Sequence, residues 1–207
     1  MATDGVKKTA NQETRGGGMK KVLFNPHQAL AMFLLGLALA ALAGCSSKRE
    51  QELQAQLKQF TDERAMVETR LVRFDSLDFD VYSNQKWDLL NVSHSDDIVV
   101  NWPDGRQTKG IAQHIEDLKA VFMFAPDTKI EEHPIRFGSG DWTCATGVMS
   151  GTFSKPMPIG GGKTIPPTGK KFKLTMCTVG HWKAGKMIEE SLFWDNGEFM
   201  KQIGLAK

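Results

Sequence analysis

The order of hydrophobic patterns along the chain predicts an α+β protein, with helices first and strands after them. Helical patterns cover residues 67–92, with a break around Tyr82, and residues 111–124. Beyond residue 129 the apolar residues alternate and turns separate the runs. The predicted strands are a short one at 97–102 and longer ones at 129–137, 141–153, 171–183 and 186–194. Helices followed by a strand meander are the α+β order.

The first 44 residues have the organisation of a lipoprotein signal peptide. Lys20 and Lys21 precede an uncharged apolar run at 29–43. A membrane-spanning helix needs about 20 apolar residues, so this run is short for a permanent span. The segment Leu42-Ala43-Gly44-Cys45 resembles the lipobox that lipoprotein signal peptidase cleaves. This resemblance implies lipidation of Cys45, and we expect an exported chain whose membrane partner is reached through a lipid anchor.

The residue after the cysteine bears on localisation. Ser46, rather than Asp, favours the outer membrane in a host that has one. Residues 45–66 are polar, with Leu53, Leu57 and Phe60 at helical spacing, so we expect a polar tether or a short helix there. A single domain is expected over 67–207. Its Pro- and Gly-rich segment at 154–169 is predicted to be a long loop over the mouth of the fold.

Charge excludes one class of partner. Residues 1–44 hold five of the 26 Lys and Arg residues and two of the 24 Asp and Glu residues, so cleavage leaves a mature chain of net charge −1. Nucleic-acid binding requires a basic surface, which this balance does not supply. We therefore expect no nucleic-acid partner.

No cofactor or metal motif is recognisable in the sequence. Gly160 to Thr164 lacks the spacing of a phosphate-binding loop, and Pro166 prevents the helix that such a loop needs. The histidines His94, His114, His133 and His181 share no metal-type spacing. We expect no metal site, a surface or boundary position for His114 and a structural role for His133. For Cys144 and Cys177, two free thiols are favoured over a disulfide, although export would permit one.

The C-terminal third is similar to the SnoaL-like polyketide cyclases, also called ester cyclases. The residues concerned are Gly185 to Asp195, followed by Phe199 to Gly204. Gly110, Gly151-Thr152-Phe153 and Pro167 to Lys170 match the family in the same order. The resemblance implies a fold like that of nuclear transport factor 2, in which a curved antiparallel sheet and N-terminal helices form a cone with an apolar pocket.

The resemblance also implies a catalytic residue. In SnoaL-like cyclases an Asp on the last strand is the general acid/base of an intramolecular aldol closure, and Asp195 matches it. Strand alternation places Glu189 and Phe193 on the same face as Asp195, so we expect all three in the pocket. The alternative is that Asp195 caps the helix that follows.

Other pocket residues are predicted with less support from the pattern. Trp102, Trp142 and Trp182 are candidates to line the pocket, the alternative being ordinary core positions. His181 is a candidate second acid/base group, next to Gly180, where the family's pocket histidine is expected. Strand alternation favours an outward position for His181.

Two functions from different classes follow. The first is a cyclase or isomerase acting on a small apolar carbonyl compound, with Asp195 as acid/base. The second is a non-catalytic lipoprotein that binds a small apolar ligand or a protein partner. A retained Asp195 favours the first, and export, away from the cytoplasm where polyketides are made, favours the second. A homodimer is left open.

Overall fold

The structure, a computed structural model, describes residues 25–206, and the side chains of residues 39–46 are not among those described. The start of the predicted signal and the side chain of Cys45 therefore lie outside the described part. The chain divides into two compact units, Met1–Gln54 and Ala55–Lys207. Among the described residues, no helix combines the length and the apolar character that crossing a membrane requires.

Helix α1 spans Pro26–Ser76, so the backbone of the predicted tether is helical. Within the second unit, α1 continues into a π-helical segment at Leu77–Tyr82, and a 3₁₀ segment follows at Trp87–Val92. The break expected near Tyr82 separates these two segments. Helix α2 spans Ile111–Phe124 and α3 spans Asn196–Gln202. Gly110 precedes α2 with a φ of 93°, a left-handed conformation that glycine adopts without steric strain.

Within residues 25–206 the main sheet is curved and unclosed, and it contains seven strands. They are β1 (His94–Asn101), β2 (Gln107–Lys109), β3 (Lys129–Ile130), β4 (Ile135–Ser139), β5 (Trp142–Thr152), β8 (Lys171–Lys183) and β9 (Lys186–Trp194). The order is β2-β1-β9-β8-β5-β3, and β4 also pairs with β5. Neighbours are antiparallel apart from the parallel pair β1–β9. The predicted fold class, α+β with a curved antiparallel sheet and helices, is confirmed.

Two segments differ from the sequence prediction. The strand expected at 129–137 is split into β3 and β4, because His133 is held by two aspartates of the helical region and Pro134 cannot donate a ladder hydrogen bond. The predicted loop at 154–169 contains a two-stranded ribbon, β6 (Met157–Pro158) with β7 (Thr164–Ile165).

A β-bulge in β9 decides which side chains face inward. His181 of β8 lies opposite Glu189, but the next residue, Trp182, lies opposite Met187, so Ile188 is an extra residue in β9. An extra residue reverses the alternation of side chains. Met187 and Glu190 are therefore both buried on the inner face, although they are three positions apart.

The core lies between this inner face and the helices. Fully buried members include Phe74 of α1, Leu90 of the 3₁₀ segment, Ile98 of β1 and Trp182 of β8. Helix α2 adds Phe122 and half-buried Ile111, Ile115 and Leu118, the stripe expected from the sequence. The core is not completely filled, and the space left in it is the candidate site.

Candidate functional site

A cavity of about 250 Å³ lies between the helices and the inner face of the sheet. Its walls are mainly apolar, with Leu90, Leu118, Phe124, Met149 and Leu192 among the lining residues. Ligand sites are commonly concave and apolar with a few convergent polar groups. Ionisable side chains from different elements line this cavity: His94, His114, Glu190, Asp78, Arg106 and Asp117.

The first group consists of two histidines and a glutamate. His94 at the start of β1, His114 in α2 and Glu190 in β9 expose 1%, 2% and 6% of their side chains. Glu190 Oε2 lies 3.2 Å from His114 Nε2 and 3.7 Å from His94 Nε2. One ligand-type atom from each residue lies within 4.8 Å of the others. We call these three residues the His-Glu cluster.

The ionisation of Glu190 follows from its two neighbours. Burial by itself raises the pKa of Glu190, but the adjacent His114 and His94 side chains outweigh burial and hold that pKa well below its usual range. Glu190 Oε2 is close to both rings, yet it has no aligned hydrogen bond among the described residues. A buried carboxylate in this position requires a positive charge or a hydrogen-bond donor beside it.

The second group connects the cavity to the surface. Asp78, in the π-helical segment, lines the cavity, and its Oδ2 lies 2.8 Å from His133 Nε2. His133 Nδ1 lies 2.8 Å from Asp75 Oδ1, and Arg136 donates to the other oxygen of Asp75 at 2.7 Å. We call these four residues the Asp-His chain. Its exposure rises from 2% for the His133 side chain to 33% for Arg136.

Burial and pairing shift both inner members of the Asp-His chain. Burial raises the pKa of Asp78, and the His133 ring only partly opposes this effect. For His133, burial lowers the pKa, but hydrogen bonds and charges of Asp78 and Asp75 outweigh burial and raise it. An imidazolium between two carboxylates is thus favoured, and Asp78 is a base whose proton affinity exceeds that of a free carboxylate.

The guanidinium group of Arg106 also lines the cavity, and neighbouring side chains hold it in position. Arg106 lies 5.2 Å above the Trp102 ring, donates to Asp104 at 2.7 Å and lies 3.6 Å from Asp117. Asp104 accepts from the backbone of Arg106, which agrees with the turn position of this residue. Trp102 lines the cavity, as does Trp194.

The expectation that Glu189 and Phe193 face the pocket is wrong, because the bulge at Ile188 reverses their orientation. Glu189 lies on the outer face and accepts from Asn101 at 2.9 Å. Phe193 is 54% exposed. The inner positions of β9 belong to Met187, Glu190, Leu192 and Trp194.

Asp195 also lies outside the cavity. It is exposed at the start of α3, and its Oδ1 accepts from the backbone N–H of Glu198 at 2.9 Å. This is the helix-capping alternative, in which the side chain satisfies a free N–H at the helix start. The structure therefore gives no support to Asp195 as a group that reaches a ligand in the cavity.

The remaining candidates are distributed between the outer face and the core. His181 stacks on Trp142 on the outer face, with ring centroids 4.1 Å apart, so neither residue reaches the cavity. Trp182 is fully buried, and its Nε1 donates to Thr143 Oγ1 at 2.8 Å. The thiols of Cys144 and Cys177 are free and 3.4 Å apart, and burial together with Cys144 raises the pKa of Cys177 to about 11.

Sequence reasoning missed the residues that the fold brings together. The expected surface position of His114 is wrong, since it belongs to the apolar stripe of α2 between Ile111 and Leu118, a signal that the spacing contains. His94, Glu190 and Asp78 carry no such signal, because their approach depends on the bulge and on the packing of separate elements. The spacing of His94 and His114 along the chain gave no indication that their side chains would meet.

The fold defines an α+β protein of the nuclear transport factor 2-like type, in which a curved antiparallel sheet and helices enclose a mainly apolar cavity. The model of the family described as SnoaL-like polyketide cyclase matches residues 72–203, more than half of the chain. The chain belongs to this family, and the family suggests a cyclase or isomerase. No match was found among curated proteins.

Solved structures share the fold at low sequence identity. A protein from Jannaschia, assigned as SnoaL-like polyketide cyclase, is 18% identical, with a TM-score of 0.59 over 69% of this chain and 96% of its own. IdmH from Streptomyces antibioticus, assigned as a polyketide cyclase, is 19% identical, with a TM-score of 0.55 over 65% and 98%. A protein from Xanthomonas campestris, assigned as a polyketide cyclase, is 12% identical, with a TM-score of 0.58 over 67% of this chain and 99% of its own.

Proposed function

We propose that this chain is an enzyme that moves a proton at a carbon next to a carbonyl group, leading to cyclisation or isomerisation of a small, largely apolar compound. The observation that carries the proposal is the pair of buried ionisable groups, the His-Glu cluster and Asp78, in the walls of one apolar cavity. A cavity of about 250 Å³ suits a compound of one or two rings.

Asp78 is the base in this proposal. His133 contacts its Oδ2, and no side chain of the described residues donates to Oδ1, so Oδ1 is available to a substrate. A raised pKa makes a carboxylate a better proton acceptor near neutral pH. The Asp-His chain also gives an accepted proton a route toward Asp75 and the surface.

In this proposal the His-Glu cluster stabilises the negative charge that develops on the carbonyl oxygen of the substrate. When Asp78 removes the proton, the electron pair of the C–H bond moves onto the carbonyl oxygen and forms an enolate. A positive charge held beside Glu190, on an imidazole or on an ion bound by the cluster, would stabilise that oxygen between mainly apolar walls. In a cyclisation the enolate carbon attacks a second carbonyl carbon, and the oxygen of that carbonyl takes the proton from Asp78 as the ring closes. In an isomerisation the substrate is conjugated, so the enolate is a dienolate that takes the proton from Asp78 at a different carbon.

Two bicyclic probes test this function on the full chain purified in detergent. The first probe, 2-naphthol, resembles a planar enolate and reports binding through its fluorescence. The second, 2-tetralone, has acidic protons next to its carbonyl, and its deuterium uptake in D₂O is followed by NMR. We expect binding of 2-naphthol and protein-dependent exchange in 2-tetralone. Asp78→Asn should lower the exchange rate about 10²- to 10⁴-fold, the usual range for a general base.

Glu189 and Glu190 form a matched pair of variants. Both are changed to Gln at neighbouring positions of β9, but only Glu190 faces the cavity. Glu190→Gln should lower exchange and weaken 2-naphthol binding, whereas Glu189→Gln should leave both unchanged. Binding of 2-naphthol without any exchange in wild type would reject the catalytic role and leave the non-catalytic binding protein, and equal effects of the two variants would contradict the assigned site.

We also propose that the domain works at a membrane surface, tethered by a lipid on Cys45. The support is the sequence: a basic start, a short apolar run and the lipobox-like segment ending in Cys45. In a bacterial host fed an alkyne fatty acid, wild type and Cys144→Ser should take up the label and fractionate with membranes. Cys45→Ser should neither take up the label nor fractionate with membranes. A label that persists in Cys45→Ser would contradict lipidation at Cys45.

A further inference from the structure

Three elements bring the His-Glu cluster to one point in the cavity wall. His94 comes from the start of β1, His114 from the first turns of α2 and Glu190 from the inner face of β9. The rings pack against one another. The ring centroids of His94 and His114 lie 5.2 Å apart, and the centroid of the Trp102 ring lies 5.9 Å from that of His114. A site assembled from separate rigid elements is suited to hold a ligand at fixed geometry.

The hydrogen bonds of His94 determine which of its nitrogens carries the proton. His94 Nδ1 lies 2.9 Å from Ser93 Oγ and 3.3 Å from the carbonyl oxygen of Leu90. Ser93 Oγ itself donates to that same carbonyl, so it accepts from His94 Nδ1. A carbonyl can only accept. The proton of a neutral His94 is therefore on Nδ1, and the lone pair of Nε2 points toward the cluster.

That lone pair has no partner in the described residues other than a carboxylate. His94 Nε2 and Glu190 Oε2 are both buried and both lack a hydrogen bond. Two electron-rich atoms 3.7 Å apart repel each other, and each also loses its hydration. A cation between them removes both penalties.

The distances suit a particular kind of cation. Zinc binds histidine nitrogen and carboxylate oxygen at about 2.0–2.1 Å, and a tetrahedral arrangement then sets ligand atoms about 3.3 Å apart. The two distances from Glu190 Oε2, 3.2 Å and 3.7 Å, bracket this value. A metal-binding histidine commonly donates its other N–H to a backbone carbonyl, as His94 does.

We propose that His94, His114 and Glu190 bind a divalent transition-metal ion of the zinc type, leaving its remaining coordination position open to the cavity. Two histidines and one glutamate with an open position are a known catalytic zinc set. The inference rests on the proposed function for its role: the ion is the cation that stabilises the enolate oxygen. Metal binding itself requires no substrate and is tested without one.

The test uses the full chain in detergent, without a polyhistidine tag, stripped with a chelator and then incubated with Zn²⁺. Wild type should retain one zinc ion per chain after gel filtration, measured by mass spectrometry of the metal, and should melt at a higher temperature with zinc than without it. Glu190→Gln and His114→Gln should weaken zinc binding at least 100-fold. Glu189→Gln and His181→Gln, changed on the outer face, should bind as wild type does.

Cobalt identifies the donors independently of the variants. Co²⁺ bound in the wild-type cluster should give the visible absorption of a tetrahedral nitrogen and oxygen site. An intense near-ultraviolet thiolate band that disappears in a Cys144→Ser/Cys177→Ser variant would place the ion at the thiols and overturn the proposal. Absence of bound zinc in wild type, or equal loss in the inner and outer variants, would also overturn it.

The two proposals fail separately. If the stripped wild type binds no metal but still exchanges protons of 2-tetralone, the metal site is rejected and a protonated imidazole remains as the electrophile. If the wild type binds zinc at the cluster but neither binds 2-naphthol nor catalyses exchange, the proposed function is rejected and the metal site stands. Circular dichroism of each metal-free variant confirms that lost binding does not reflect lost folding.

Discussion

Glu190 lies directly opposite Gly180 in the ladder between β8 and β9, whereas its neighbour Glu189 lies opposite His181. The first pair faces the cavity and the second faces outward. This division exists because Ile188 is the extra residue of a bulge, and it places a carboxylate among apolar side chains that simple alternation assigns to the other face.

The role of the bulge can be tested by deleting single residues from β9. Deletion of Ile188, the extra residue, leaves Met187 and Glu190 two positions apart, so regular alternation keeps both on the inner face and the free energy of unfolding should fall only slightly. Deletion of Ser191 instead makes Glu190 and Leu192 neighbours, which forces one of them off the inner face and should cost about 2–5 kcal/mol, as for loss of a buried side chain of that size. Urea denaturation measures both, and equal destabilisation by the two deletions would contradict the role of the extra residue.

Asp195 should affect stability but not proton exchange. Asp195→Ala removes the acceptor for the Glu198 N–H and should lower the free energy of unfolding by about 0.5–2 kcal/mol. Asp195→Asn keeps a capping oxygen and should be close to neutral. Thermal denaturation measures the two effects. Loss of 2-tetralone exchange in a folded Asp195→Asn variant would restore this residue to the acid/base role that the family resemblance implies.

The buried pair of Trp182 and Thr143 offers a stability test with an internal control. Thr143→Val keeps the shape but leaves the Trp182 N–H unsatisfied in the core, which should cost about 1–3 kcal/mol. Thr108→Val removes the corresponding partner of Trp102 at 2.9 Å, but that pair is only partly buried. Its cost should be smaller, because water can replace the hydroxyl. The reverse order in urea denaturation would contradict these assignments.

His133 should make stability depend on pH in one direction. Its pKa in the folded protein is raised above the ordinary value of 6.5, because Asp78 and Asp75 outweigh the effect of burial. Protonation of His133 therefore stabilises the fold fully below pH 6.5, and this contribution is lost as the pH rises through the folded pKa. The measurement is the difference in free energy of unfolding between wild type and His133→Gln across this range.

That difference should shrink as the pH rises above about 6.5 and passes through the folded pKa of His133. The corresponding difference between wild type and Thr143→Val should stay constant, because neither Thr nor Val titrates. A difference for His133→Gln that grows with pH would mean that the ring is held neutral between the two carboxylates, and it would remove the basis for Asp78 as the base.

Local sequence patterns predicted much of the secondary structure. The ranges of α2, β8 and β9 agree with the prediction, because amphipathic periods of 3.6 and 2 residues and the turn residues between them mark where each element begins and ends. The outward position of His181 was also predicted from alternation. The C-terminal motif indicated the family, since it combines a turn, a strand and a capped helix in a fixed order.

The candidate site depended on tertiary structure. Asp195 carries the family resemblance, but its carboxylate satisfies a backbone N–H instead of facing the cavity. One unpaired residue in β9 decides whether Glu189 or Glu190 is internal, and nothing in the local pattern marks that residue. His94, His114 and Glu190 are far apart in the chain, so their approach to within 4.8 Å is a property of the packed sheet and helices. The sequence by itself determined the class of fold and the order of its elements, because these depend on short-range periodicity; only the packed structure decided which acid meets the histidines, because that depends on long-range contacts.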